Sequence, residues 1–193
     1  MMAHRILNSF ASDRRGMAAT EFALLLPLLI VLFFGVVEGS DALTKSRRVS
    51  LAANTLADLA SQETELLESA VDSLFVGVEE IINVDGATMT VNLISVILED
   101  SDGDGAPDAP VVHWSYDNSG GEPYAEGDAF NKLPNPALLD ADTSIIVAEI
   151  DYPYTSPFLH YFFSNVNFDR IATRWPRRSL RVQLCSSPGN CTS

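Results

Sequence analysis

The chain has 193 residues, 26 Asp and Glu against 12 Lys and Arg, a net charge of −14, and 47% hydrophobic residues. That length suits one modest domain with a real core, and the composition excludes a disordered chain. The acidic balance excludes nucleic acid as the main partner, and two cysteines are too few for a disulfide-dense scaffold or a four-ligand zinc site.

The charge is unevenly spread. Residues 1–48 hold six basic and four acidic side chains, residues 49–169 hold 22 acidic residues and the single base Lys132, and the stretch from Arg170 onward holds five Arg and no acid. The chain is a short basic head, a long acidic body and a basic tail.

From Met17 to Val37 the sequence MAATEFALLLPLLIVLFFGVV carries one charge, Glu21. As a helix its 21 residues reach about 31 Å, close to the hydrocarbon thickness of a bilayer. Pro27 is costly in a soluble helix and tolerated in a membrane one. Phe22–Val37 has no polar face, which argues against a buried soluble helix. A cleaved secretory signal is the competing reading, but its apolar core is shorter, about 7–15 residues, and Val36-Val37-Glu38-Gly39-Ser40 makes a poor small-residue cleavage site. Arg5, Arg14 and Arg15 before the run balance Lys45, Arg47 and Arg48 after it, so charge counting does not fix orientation. The short head and long acidic body favour an inside N-terminus.

A lone carboxylate in hydrocarbon costs about 2.5–3.5 kcal/mol, so Glu21 needs a partner or an interfacial position. Its setting is Arg14-Arg15-Gly16-Met17-Ala18-Ala19-Thr20-Glu21-Phe22: basic residues ending in Gly, then Glu as the fifth residue after it, followed by 16 uncharged residues. This resembles the class III signal of type IV pilins and pseudopilins. The resemblance implies cleavage at Gly16–Met17 by a membrane aspartyl prepilin peptidase, leaving 177 residues. It also implies that Glu21 pairs with a freed α-amino group during assembly. Ala19-Thr20-Glu21-Phe22-Ala23-Leu24-Leu25-Leu26-Pro27-Leu28-Leu29 is similar to the start of TadE/TadG-like proteins of the tight-adherence (Flp-type) pilus, as are Asp151-Tyr152-Pro153-Tyr154 and the Pro176-Arg177-Arg178-Ser179 stretch running to Cys185. The likeness is tight over 14–40 and loose over 143–185. It implies a minor pseudopilin with one transmembrane helix and a small domain outside the inner membrane, acting in pilus assembly, initiation or tip formation. Its implied partners are the peptidase and other pilins or minor pseudopilins.

Beyond Val37 the helical period continues through Val49, Ala52, Ala53, Leu56, Leu59 and Ala60, and a second amphipathic set follows: Leu66, Leu67, Ala70, Val71, Leu74, Phe75, Val78, Ile81 and Ile82. Both sets predict core-facing stripes, with a partner-helix groove as the other reading. After Asp85-Gly86 the pattern predicts strands at Ala87–Glu99, Val111–Tyr116, Thr143–Tyr152, Ile171–Trp175 and Leu180–Cys185, with a long loop at 117–142. Phe158–Ser164 fits helix or strand. The expected fold class is α+β: a long N-terminal helix packed on a mostly antiparallel sheet. Its expected divisions are a leader (1–16), a membrane helix (17–37), a stalk with a second helix (38–84) and a β-rich domain outside the cytoplasm (85–193).

Asp100, Asp102, Asp104 and Asp108, with Gly103 and Gly105, have the alternating carboxylates of a calcium loop. Val111 stands at the twelfth place, so this is not an EF-hand; a solvated hairpin tip is the alternative. Cys185 and Cys191 enclose five residues including Pro188 and Gly189, a small terminal disulfide outside the cytoplasm or two thiols inside it. The search for catalysis is negative. Asn118-Ser119-Gly120-Gly121 has no His spaced to activate the serine, His113 and His160 read as packed residues, and Glu79-Glu80 point apart on a helix. There is no phosphate loop, dinucleotide fingerprint or zinc-protease motif. The expectation is a non-enzyme that requires no cofactor, with calcium as the one candidate ion. Its alternative is an uncleaved, single-pass membrane-anchored binding module.

Overall fold

The computed structural model describes residues 16–82, 89–99, 109–135, 139, 143–156 and 166–192. The elements run α1 (Met17–Ala60), β1 (Glu65–Leu67), α2 (Glu68–Ile82), β2 (Thr90–Glu99), β3 (Ala109–Asp117), β4 (Ser144–Tyr154), β5 (Val166–Arg174), β6 (Gln183–Ser187) and β7 (Asn190–Cys191). This is the expected α+β arrangement. The basic head, the Asp100–Asp108 loop, Phe158–Ser164 and His160 lie outside the described residues.

α1 is one unbroken helix of 44 residues, about 66 Å long. It passes Pro27 and both Gly35 and Gly39 without a stop, and joins the apolar run to the stalk as a single rod. Its far end is well closed: the Ser61 amide donates to the Ala57 carbonyl, and the Ser61 carbonyl accepts from the Arg177 amide at 2.8 Å.

The main sheet has the order β3-β2-β4-β5, all antiparallel. The strand period of two sorts its residues onto two faces. Val91, Leu93, Ile146, Ala148, Ile150, Tyr152, Tyr154 and Ala172 meet Val49, Ala52, Ala53, Leu56 and Ala60 of α1 and Val71, Phe75, Val78 and Ile82 of α2. On the other face Ile94, Val96, Ile145 and Val147 are covered by Phe130, Leu133 and Leu139 from the chain between β3 and β4. A register shift at Ser95/Val96 lets Val112 and Trp114 serve opposite faces. Trp114 donates its indole N–H to the Val182 carbonyl at 2.7 Å, tying the main sheet to the residue that leads into β6. That small sheet, β1-β6-β7, pairs β1 with β6 in parallel.

The structure corrects the sequence reading in several places. A three-residue strand separates the two helices, where only helix was expected; it forms because β6 returns beside it. β5 begins at Val166, earlier than the expected Ile171, because its first half alternates half-buried and exposed residues at a sheet edge and lacks a hydrophobic signal. β6 begins at Gln183; Leu180 lies in the preceding turn, exposed. Within the two predicted stripes, Leu59 and Ala70 face solvent and the rest are buried or half-buried. Leu56 is fully buried whereas Leu59 is 42% exposed. Leu56→Ala is therefore expected to cost about 2–5 kcal/mol in denaturant unfolding of the detergent-held protein, and Leu59→Ala less than about 0.5 kcal/mol.

Candidate functional site

The first feature is the free half of α1. From Gly16 to Val37 every residue is exposed except half-buried Phe34. Leu24, Val31, Phe33 and Val36 are each more than three-fifths bare, a surface no soluble helix leaves to water. Among the described residues this is the one helix long and apolar enough to cross a membrane. Gly16 is the N-cap, with no side chain to cap the helix and open space around its Cα; Met17 is the first helical residue. Thr20 bonds back to the Met17 carbonyl at 2.8 Å. Glu21 is exposed, four residues on from Met17 and thus on the same helix face. Helix geometry alone brings Gly16, Met17 and Glu21 to one end of the rod.

The second feature is the clamp that fixes the domain to the other half of α1. Ser46, Ser50, Asn54 and Asp58, spaced by four, form a polar stripe beside the apolar one. Arg170 donates to Ser46 Oγ at 2.8 Å and Ser50 Oγ at 2.9 Å; Arg174 donates to Asn54 Oδ1 at 2.9 Å; Arg177 pairs with Asp58. The match is metric: four strand residues from Arg170 to Arg174 advance about 13 Å, and eight helix residues about 12 Å. Lys45 donates to the Ile82 carbonyl at the C-terminus of α2, where a cation opposes the helix dipole. Tyr154 donates to Asp41 at 2.9 Å, and its phenol is pushed up to about 12, first by burial and then by that bond and the Asp41 charge. Sequence reading missed this clamp. The four-residue spacing of small polar residues was its only trace.

The third feature is a cavity of about 340 Å³ on the outer sheet face, lined by Asn92, Tyr124, Lys132, Glu149, Asp151 and Asp169 among others. Glu149 accepts from Lys132 Nζ, from Tyr124 Oη at 2.7 Å and from Asn92 Nδ2 at 3.1 Å. Burial acts to raise Glu149, but these bonds prevail and hold it below the ordinary carboxylate value. The bond to Glu149, and then one from Lys132 Nζ to Tyr124 Oη at 2.7 Å, push Lys132 up. Asp151 stands directly opposite Asp169 in the β4–β5 register, and its Oδ1 is buried without a partner. It is raised, first by burial and then by the charges of Asp169 and Glu149.

Other predicted residues stay apart. Cys185 and Cys191 are joined in a disulfide across β6 and β7. Glu65 lies near both sulfurs, yet the disulfide leaves no thiolate there to bind a metal. Ser119 is exposed and donates its hydroxyl to Asp117 at 2.6 Å, whereas buried His113 meets Ser95 Oγ at 3.4 Å. Glu79 is half-buried and Glu80 exposed on α2.

Residues 16–58 match the family model described as TadE-like protein. The matched segment opens at Gly16, takes in Glu21 and the apolar run, and ends at Asp58, the last rung of the clamp. The match covers 43 of the 193 residues, the helical stalk and not the sheet domain. No curated protein and no solved structure matches the chain.

The carboxylates of the cavity carry opposite pH signatures. A lowered Glu149 contributes stability above its unfolded value, about 4.3, and loses it as pH falls through the folded value. Glu149→Gln is expected to lower the melting temperature at pH 7, with the loss fading at acid pH. A raised Asp151 does the reverse, so Asp151→Asn is expected to raise the melting temperature at pH 7, the gain vanishing below about pH 4. Melting curves from pH 3 to 8 read both.

Proposed function

We propose that this chain, TadE-like through its helical stalk, is a minor pseudopilin of a tight-adherence pilus, inserted in the inner membrane by residues 17–37 and processed by a prepilin peptidase. The observation that carries the reading is the bare apolar half of α1, which opens with Gly16, Met17 and Glu21 at one end and bears a firmly clamped domain at the other.

The chemistry follows from these residues. Gly16 offers a backbone free of side-chain hindrance, which suits a protease that binds extended chain. Cutting Gly16–Met17 leaves an α-ammonium at the membrane edge. Glu21 of an incoming or neighbouring subunit neutralises it, and the pairing removes the cost of holding either charge near hydrocarbon. Ala18, Ala19, Ala23 and Gly35 let helices approach closely. The reading gives the chain no catalytic step and needs no cofactor. The body stands outside the inner membrane, a compartment in which the Cys185–Cys191 disulfide persists. Its neighbours there are other pilins or minor pseudopilins.

The intact mass of membrane-extracted protein tests processing: a chain beginning at Met17 is expected, and one that keeps Met1 contradicts it. Glu21→Ala is expected to insert in the membrane normally but to assemble poorly; filaments formed at the normal level by that variant contradict the pairing.

A further inference from the structure

We infer that the β4–β5 end of the domain sits in the lipid headgroup layer, so that the folded domain itself, and not only its stalk, contacts the membrane surface. The inference rests on the membrane reading of residues 17–37 and adds the height and orientation of the domain.

The first argument is length. Between Glu21 and Glu38 lie 16 uncharged residues, about 24 Å of helix, against about 30 Å of hydrocarbon. The helix has nothing to spare, and its apolar zone must extend to Val37. Nothing in α1 serves as a spacer to lift the domain away. The domain covers the helix from the next residue on: Glu38, the first charge past the run, is only 7% exposed, and Asp41 and Ala42 are half-buried. Phe34, one turn inside the run on the same face, is half-buried as well.

The second argument is the direction of β5. It runs alongside α1 in the same sense, with Arg170 at Ser46 and Ser50 and Arg174 at Asn54. Val166 stands four residues before Arg170, about 13 Å nearer the membrane, which corresponds to about nine helix residues. Counted from Ser46 and from Ser50, that sets Val166 between the levels of residues 37 and 41. Its register partner is Tyr154, and the Tyr154 hydroxyl meets Asp41. Val37 marks the end of hydrocarbon, and the headgroup layer extends about 5–7 Å beyond it. Val166, Tyr154 and the adjoining Phe168 fall within that layer.

The third argument is chemistry. Tyr152 and Tyr154 are buried and pack on half-buried Phe168, with centroids 5.6–6.5 Å apart, so this end is built of rings and, among the described residues, carries no exposed Tyr or Trp. Val166 is 49% exposed and Pro153 is exposed, neither offering a charge to resist the lipid. Glu38 gains as well: covered by the domain at the bilayer edge, its carboxylate is kept out of the lipid.

Spin labels at three positions test this in the full chain, reconstituted in phosphatidylcholine–phosphatidylglycerol vesicles with the native disulfide closed. The labels go on Leu29→Cys in mid-run, Val166→Cys at the lower end and Leu180→Cys, an exposed residue whose carbonyl accepts from Ser144 at the opposite end of β4. Collision with oxygen is compared with collision with a water-soluble nickel chelate. The expected oxygen-to-nickel ratio is highest at Leu29, severalfold lower at Val166 and lowest at Leu180. A Val166 ratio equal to that of Leu180, with Leu29 still high, overturns the headgroup contact and leaves the membrane span standing. An aqueous ratio at Leu29 overturns the span, and this inference with it.

Discussion

One helix must satisfy two solvents. α1 presents apolar side chains all round over Phe22–Val37 and a narrow stripe, flanked by polar residues, beyond it. Backbone hydrogen bonds inside the helix make the first half compatible with lipid, where no water satisfies a free amide. Tertiary burial of Val49, Ala52, Ala53, Leu56 and Ala60 makes the second half the spine of a folded domain. Because the two halves share one unbroken rod, the position of the domain is set by the position of the apolar run.

The clamp turns that continuity into rigidity. An apolar stripe alone resists rotation about the helix weakly, since neighbouring ridges of small side chains are similar. The arginines of β5 and of the turn beyond it reach the Ser46–Asp58 stripe at matched spacings, and Tyr154 and Lys45 add fixed points toward the apolar run. Individually such surface bonds contribute little. Together they specify one register of helix on sheet. A load on the domain is then carried into the stalk without slack.

Much of this was legible in the residues. The length and purity of Met17–Val37, the Gly16–Glu21 spacing and the 3.6-residue stripes fixed the helices, because each of those patterns has one dominant physical solution. The sheet's hydrophobic strands were read for the same reason, and each of the five expected strands overlaps an observed one, two of them with shifted starts. Two kinds of feature were hidden. Short pairing, as in Glu65–Leu67 beside β6, depends on a partner more than a hundred residues away and leaves no local trace. Polar side chains that serve tertiary structure, such as Arg170, Arg174, Lys132 and Glu149, look in sequence like ordinary solvated charges. Their roles exist only once the strand and helix are side by side.

The account depends on the first half of α1 being solvated by lipid and the second half by protein. Hydrogen exchange along α1 in reconstituted bilayers measures this directly. Amides of residues 22–37 should be protected by the membrane, and those of residues 49–60 should exchange only with global unfolding of the domain. Rapid exchange across 22–37 in the bilayer, with 49–60 still protected, would make the apolar run a water-exposed arm and contradict the account.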